Sequence, residues 1–181
     1  MKTKNWIIGG IAVLGAATAG SLLWMKIRAT IPSGVEAVEP FDAESYLGKW
    51  YEIARMPMRY ENGLTRVTAH YSLNPDGTIS VINRGFNAKK MEWEEAHGKA
   101  KFVDSAWIGM LKVSFFGPFY AGYNVIAIDE QYQYALVFGR NLDYMWLLSR
   151  EKTMPKRVEQ AYLKIAQESG YDLSELVWTE Q

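Results

Sequence analysis

The sequence predicts an all-β protein: an eight-stranded, up-and-down antiparallel barrel with one C-terminal helix packed outside it and an N-terminal hydrophobic helix in front. Three observations carry that expectation. From Trp50 to Arg150, short alternating apolar runs are separated by turn residues at intervals of roughly 8–12, the rhythm of an all-β barrel or sandwich. After Arg150 the rhythm changes once, to a helical period. Before residue 30 lies a stretch from Trp6 to Met25 without a single charge.

That first stretch is preceded by Lys2 and Lys4 and followed by Lys26 and Arg28. As a helix it would span roughly 30 Å, the thickness of a bilayer core. Trp6 and Trp24 stand near its two ends, where amphipathic rings favour the headgroup level. Residues 1–29 therefore read as a membrane anchor through residues 6–25. A cleaved secretory signal is the competing reading, since Ala17-Thr18-Ala19 has the form of a cleavage site. Thr18-Ala19-Gly20-Ser21 is similar to the box at which bacterial lipoproteins are lipidated, but Ser21 stands where the Cys belongs, so the thiol needed for the lipid is missing. Equal positive charge on the two flanks leaves the orientation open.

Residues 30–40 carry two prolines and a glycine and no strand or helix period, which makes them a linker. The folded domain is then residues 41–181, enough chain for one sizeable core. Its strands are expected at Trp50–Arg59, Leu64–Leu73, Thr78–Phe86, Met91–Phe102, Gly109–Phe116, Tyr120–Asp129, Gln133–Arg140 and Tyr144–Arg150. The second and third are joined by Asn74-Pro75-Asp76-Gly77, where Pro sets φ and Gly accepts a positive one. Eight is the strand number at which a closed barrel can hold one small ligand. Past Pro155, Val158, Tyr162, Ile165 and Ser169 fall on one stripe, widened by Ala161 and Ala166, and Gly170 is placed to end the helix. Leu176-Val177-Trp178 could add a short strand after it.

Composition removes several functions. Twenty basic and twenty acidic side chains give no field to attract a polyanion, so nucleic acid is not an expected partner. Without cysteine there are no disulfides, thiolate nucleophiles or Cys-based metal sites. His70 and His97 lack any metal-ligand spacing, and no cofactor motif is present.

The run Tyr46-Leu47-Gly48-Lys49-Trp50-Tyr51-Glu52-Ile53-Ala54-Arg55 carries a Gly-x-Trp-Tyr signature, and Leu147-Leu148-Ser149-Arg150 supplies an arginine near the end of the last strand. With Val113 to Tyr120 and Gly122 to Ala127, these runs make the chain from about Phe41 onward resemble the bacterial lipocalins, the branch similar to apolipoprotein D. Gly48 and Trp50 match the first family motif, Asp129 the second, and Arg150 the third. Ile128 departs from the second motif, which has Thr there. The resemblance implies that Trp50 plugs the closed end of the barrel with Arg150 lying across it. It also implies storage or transport of a fatty acid or a lysophospholipid in the cell envelope, with the barrel in the periplasm at the outer membrane.

For the ligand, Tyr144, Trp146 and Leu148 share one face of the last strand by parity. Trp146 and Tyr120 occupy positions that line the pocket in bacterial lipocalins. Glu52 and Asn83 are polar residues on strands that are candidates to face inward; a buried carboxylate there needs a partner or a raised pKa. Each aromatic has an alternative role as plain core packing. Aromatic residues around Phe115–Tyr123 could form a rim for a second copy, a homodimer. Two further readings stand beside the carrier: a structural or assembly protein of the envelope with a solidly packed barrel, and a lipid-acting enzyme on the same fold. The lipocalin-type prostaglandin synthase depends on a Cys that is missing here, and no Ser sits in Gly-x-Ser-x-Gly, so a non-enzyme is expected.

Overall fold

The computed structural model describes residues 6–8 and 30–181. Three-residue strand β1 (Trp6–Ile8) precedes the barrel, whose strands are β2 (Gly48–Arg55), β3 (Leu64–Leu73), β4 (Ile79–Asn87), β5 (Glu92–Phe102), β6 (Met110–Phe116), β7 (Phe119–Asp129), β8 (Tyr134–Phe138) and β9 (Met145–Ser149). Each pairs antiparallel with the next, and β9 returns to β2, so the sheet closes on itself and its edges disappear. The expected eight-stranded up-and-down barrel is the architecture found.

Strand ends differ from the sequence reading where chemistry interrupts pairing. The first strand starts earlier, at Gly48, and stops at Arg55 rather than Arg59, because Pro57 cannot donate to a ladder and Arg59–Glu61 turns into a 3-10 helix. At Asp129 the chain turns on a carboxylate that accepts from Gln133 N at 2.6 Å and Tyr134 N at 2.7 Å. The second-motif Asp therefore holds its turn although Ile128 replaces the Thr.

Alternation divides the core in two. Inside the barrel, Trp50, Tyr71, Val81, Leu111, Tyr123, Val137 and Leu148 form one cluster together with Tyr46 of the short helix α1 (Ala43–Tyr46). Outside it, Ala54, Ile126, Leu136 and Leu147 pack against Val158, Tyr162 and Ala166 of helix α2 (Lys156–Glu168). Pro155 precedes α2, and Gly170, at φ +98°, follows its end. The Tyr162 hydroxyl donates to Tyr134 O at 3.0 Å, which fixes the helix on β8.

Two segments differ from simple expectation. Residues 30–40 are irregular, as their prolines dictate, yet their second half is packed: Val38 is fully buried, its N donates to Val125 O at 2.8 Å and its O accepts from Gly109 N at 2.9 Å. Trp6–Ile8, where an apolar helix was expected to begin, pairs with Ala127–Asp129. That row of β7 is available because its ladder with β6 ends at Met110 and Asn124. The rest of the expected span 6–25 lies outside the described residues. Among the described residues no helix is long and apolar enough to cross a membrane.

After α2, strand β10 (Val177–Trp178) pairs with Ala54 and Arg55. The β2–β3 ladder covers only Gly48–Tyr51, and the last residues of the chain occupy the gap beyond it. Thr179 N donates to Ile53 O at 3.0 Å, Arg66 N to Glu180 O at 2.6 Å, and the Gln181 amide to Val67 O at 3.0 Å.

Candidate functional site: the barrel interior

One end of the barrel is filled. Trp50 is wholly buried, and its indole N–H donates to Tyr46 O at 2.8 Å. Arg150 lies over the indole at 3.8 Å from the ring centre and donates to five backbone carbonyls, those of Tyr132, Lys49, Ser45, Tyr46 and Leu47. The guanidinium thus joins the start of β2, α1 and the β7–β8 turn in one cap. Above the indole, the Tyr123 hydroxyl meets those of Tyr46 at 2.6 Å and Tyr71 at 2.8 Å. Burial pushes all three phenols well above their usual range, so they stay protonated and serve as hydrogen-bonding groups.

The other end is open. Register places Ala96 opposite Asn83 and Ala121 opposite Val113 on the inner face, and both alanines are exposed. Met91, Trp93, Phe116, Phe119, Leu142 and Tyr144 are exposed large side chains on the strands and loops that surround this end, with Phe119 80% exposed.

Of the residues singled out from the sequence, Trp146, Leu148, Asn83 and Glu52 all face inward. Trp146 is partly buried, stands 6.1 Å from Tyr123 and stacks on Tyr144 at 6.4 Å, so β9 presents an aromatic wall running from the filled end to the rim. Leu148 is buried beside Trp50 in the inner cluster. Asn83 turns its Oδ1 into the interior without a hydrogen-bond partner. Tyr120 is placed elsewhere. It is 40% exposed on the outer face, where the Lys101 and Lys112 amines approach its ring at 4.6 and 5.9 Å. It stands three positions before inward-facing Tyr123, and strand parity sends the two to opposite faces.

The structure also assembles a polar cluster that sequence reasoning missed. Glu52 is buried and paired with Arg55, Nη1 to Oε1 at 2.7 Å, although residues three apart on a regular strand face opposite sides. Ile53 is an extra residue in β2: Glu52 pairs with Leu148 but Ala54 with Leu147, and this bulge brings Arg55 back to the inner face opposite Trp146. Arg55 also reaches the backbone O of Glu61 and lies 3.4 Å from its carboxylate, while Thr179 donates to Glu52 and accepts from Arg55 at 3.1 Å. The short Glu-x-x-Arg spacing followed by Glu61 was the one available signal. Burial, reinforced by the charge of Glu52, lifts the Glu61 carboxyl from its usual value to about 8 against the pull of Arg55 and the Trp146 indole.

An eight-stranded closed barrel, plugged at one end by Trp and Arg and open at the other, with a helix along its flank, defines a class of small-molecule-binding barrel proteins. The chain belongs to the lipocalins: the family described as lipocalin-like domain matches residues 41–181. It is 48% identical over 171 residues to outer membrane lipoprotein Blc of Escherichia coli strain K12, covering 94% of this chain and 97% of that protein. Temperature-induced lipocalin-1 of Arabidopsis thaliana is 38% identical, with 81% and 83% covered, and apolipoprotein D of Mus musculus 31%, with 79% and 78% covered. Among solved structures, insecticyanin from the tobacco hornworm Manduca sexta superposes with a TM-score of 0.67 at 22% identity, over 83% of this chain and 86% of that one.

Proposed function

We propose that the protein binds a single-chain lipid, a fatty acid or a lysophospholipid, in the open half of its barrel and carries or stores it in the cell envelope. The observation that supports this most is the contrast between inward-facing residues: at the plugged end they are buried, while Ala96 and Ala121 at the other end face inward and are still exposed. An interior reachable from solvent, walled by Tyr144 and Trp146 and holding a few polar groups, has the character of a lipid site. No bond needs to be made or broken in that role. The relatives named outer membrane lipoprotein support an envelope location, with the barrel in the periplasm. Native mass spectrometry of delipidated protein, incubated with palmitate or with a C16 lysophospholipid, tests the reading. A single saturating adduct is the expected result, and no adduct with either lipid would overturn it.

A further inference from the structure

Glu61 stands out within the interior. Its Oε2 is buried without a hydrogen-bond partner, as is Arg55 Nε beside it, although the two are 3.4 Å apart and can attract. Buried polar atoms left this way are costly. The Glu61 side chain as a whole still keeps 20% of its surface exposed, against 3% for Arg55, so Glu61 is the member of the pair that borders the interior. Around the guanidinium of Arg55 stand two carboxylates, Glu52 and Glu61, so the fully ionised cluster carries one uncompensated negative charge. Arg55 faces Trp146 across the β2–β9 ladder, and Trp146 stacks on Tyr144 at 6.4 Å with the ring planes 21° apart. A carboxylate in excess next to stacked aromatic faces is the combination that recognises an alkylammonium group.

Resting on the carrier reading above, we propose that Glu61 and the Tyr144–Trp146 wall form a headgroup subsite that selects amphiphiles bearing an alkylammonium head over uncharged ones of the same chain length. Arg55 and Glu52 are positioning residues for it, and Thr179 locks their orientation through its bonds to both. The titratable and charged groups that face Glu61 are Glu52, Arg55 and the Tyr71 phenol, which feels both carboxylates. Tyr71 stays neutral, so the charge of the subsite follows the Glu61 carboxyl, which burial and the neighbouring Glu52 hold above the usual carboxylate range. Its carboxyl loses its proton near pH 8. Recognition of the cation therefore strengthens as pH rises through that value.

The test compares lysophosphatidylcholine with the monoacylglycerol of the same acyl chain, titrated into the full-length protein at pH 6.5 and pH 9. Neither lipid changes charge in that range, so the ratio of their dissociation constants reports the headgroup subsite alone. The wild type should prefer the choline lipid by about tenfold at pH 9 and markedly less at pH 6.5. Glu61→Gln should bind both lipids about equally at either pH, and the pH dependence of the wild type stands as an independent reading whether or not that variant folds. If both lipids bind with a ratio indifferent to pH, the subsite is refuted and the carrier reading survives. If neither binds, both fall.

Discussion

The two ends of this barrel are built from the same strands and behave as opposites. At the plugged end, Arg150 donates to five carbonyls, the Trp50 indole has its acceptor, and the tyrosine hydroxyls satisfy one another. Toward the other end, Asn83, Arg55 and Glu61 keep buried polar atoms without hydrogen-bond partners, and apolar side chains crowd an exposed rim. Satisfied polar groups and dense packing make a region rigid and stable, whereas unsatisfied buried ones cost stability. One end holds the fold and the other is left to be completed by a ligand.

Four substitutions probe that contrast. Trp50→Ala removes the plug and should cost about 3–5 kcal/mol in urea unfolding, the range for buried Trp truncations. A loss under about 1 kcal/mol would mean that the closed end does not carry the fold. Glu61→Gln tests the opposite end through pH. Because the folded carboxyl titrates near 8 and the unfolded one near 4.5, the stability tied to its proton is complete below pH 4.5 and gone above about 8. The wild type should therefore lose ground to Glu61→Gln across that window by on the order of 5 kcal/mol. A difference that does not change with pH would contradict the buried, proton-bearing state of Glu61.

Trp146→Ala should weaken lipid binding by about 1–3 kcal/mol while unfolding with a cooperative transition like that of the wild type. If affinity is unchanged, the ligand does not lie along β9. Tyr120→Ala should shift neither stability nor lipid affinity by more than about 0.5 kcal/mol, as for other exposed positions. A large loss of affinity there would bring Tyr120 back into the pocket, against its place beside Lys101 and Lys112 on the outer face.

The barrel was legible in the sequence because its causes are local. Alternation, the Asn74–Gly77 turn and the change to a helical period each act within a few residues, and Gly48, Trp50 and Arg150 sit in short signatures. The polar cluster was not legible, because it depends on a bulge at Ile53 that reverses the parity of Arg55 and on Thr179 arriving from 124 positions away. Tyr120 went astray for a related reason: resemblance placed it in the pocket, while the parity of β7, counted from Tyr123, sets it outside. Packing of residues 30–40 was hidden too, since Val38 is apolar but stands in a stretch with no periodic pattern to announce burial.

The most direct test of the account is a fluorescence titration of the protein with a single-chain lipid, run in parallel on the wild type and Trp146→Phe. A saturable one-to-one change in the wild type, most of it lost in Trp146→Phe while direct binding persists, would locate the ligand in the open half of the barrel. A saturable change of the same size in both proteins would put the ligand away from β9 and contradict the division of labour between the two ends.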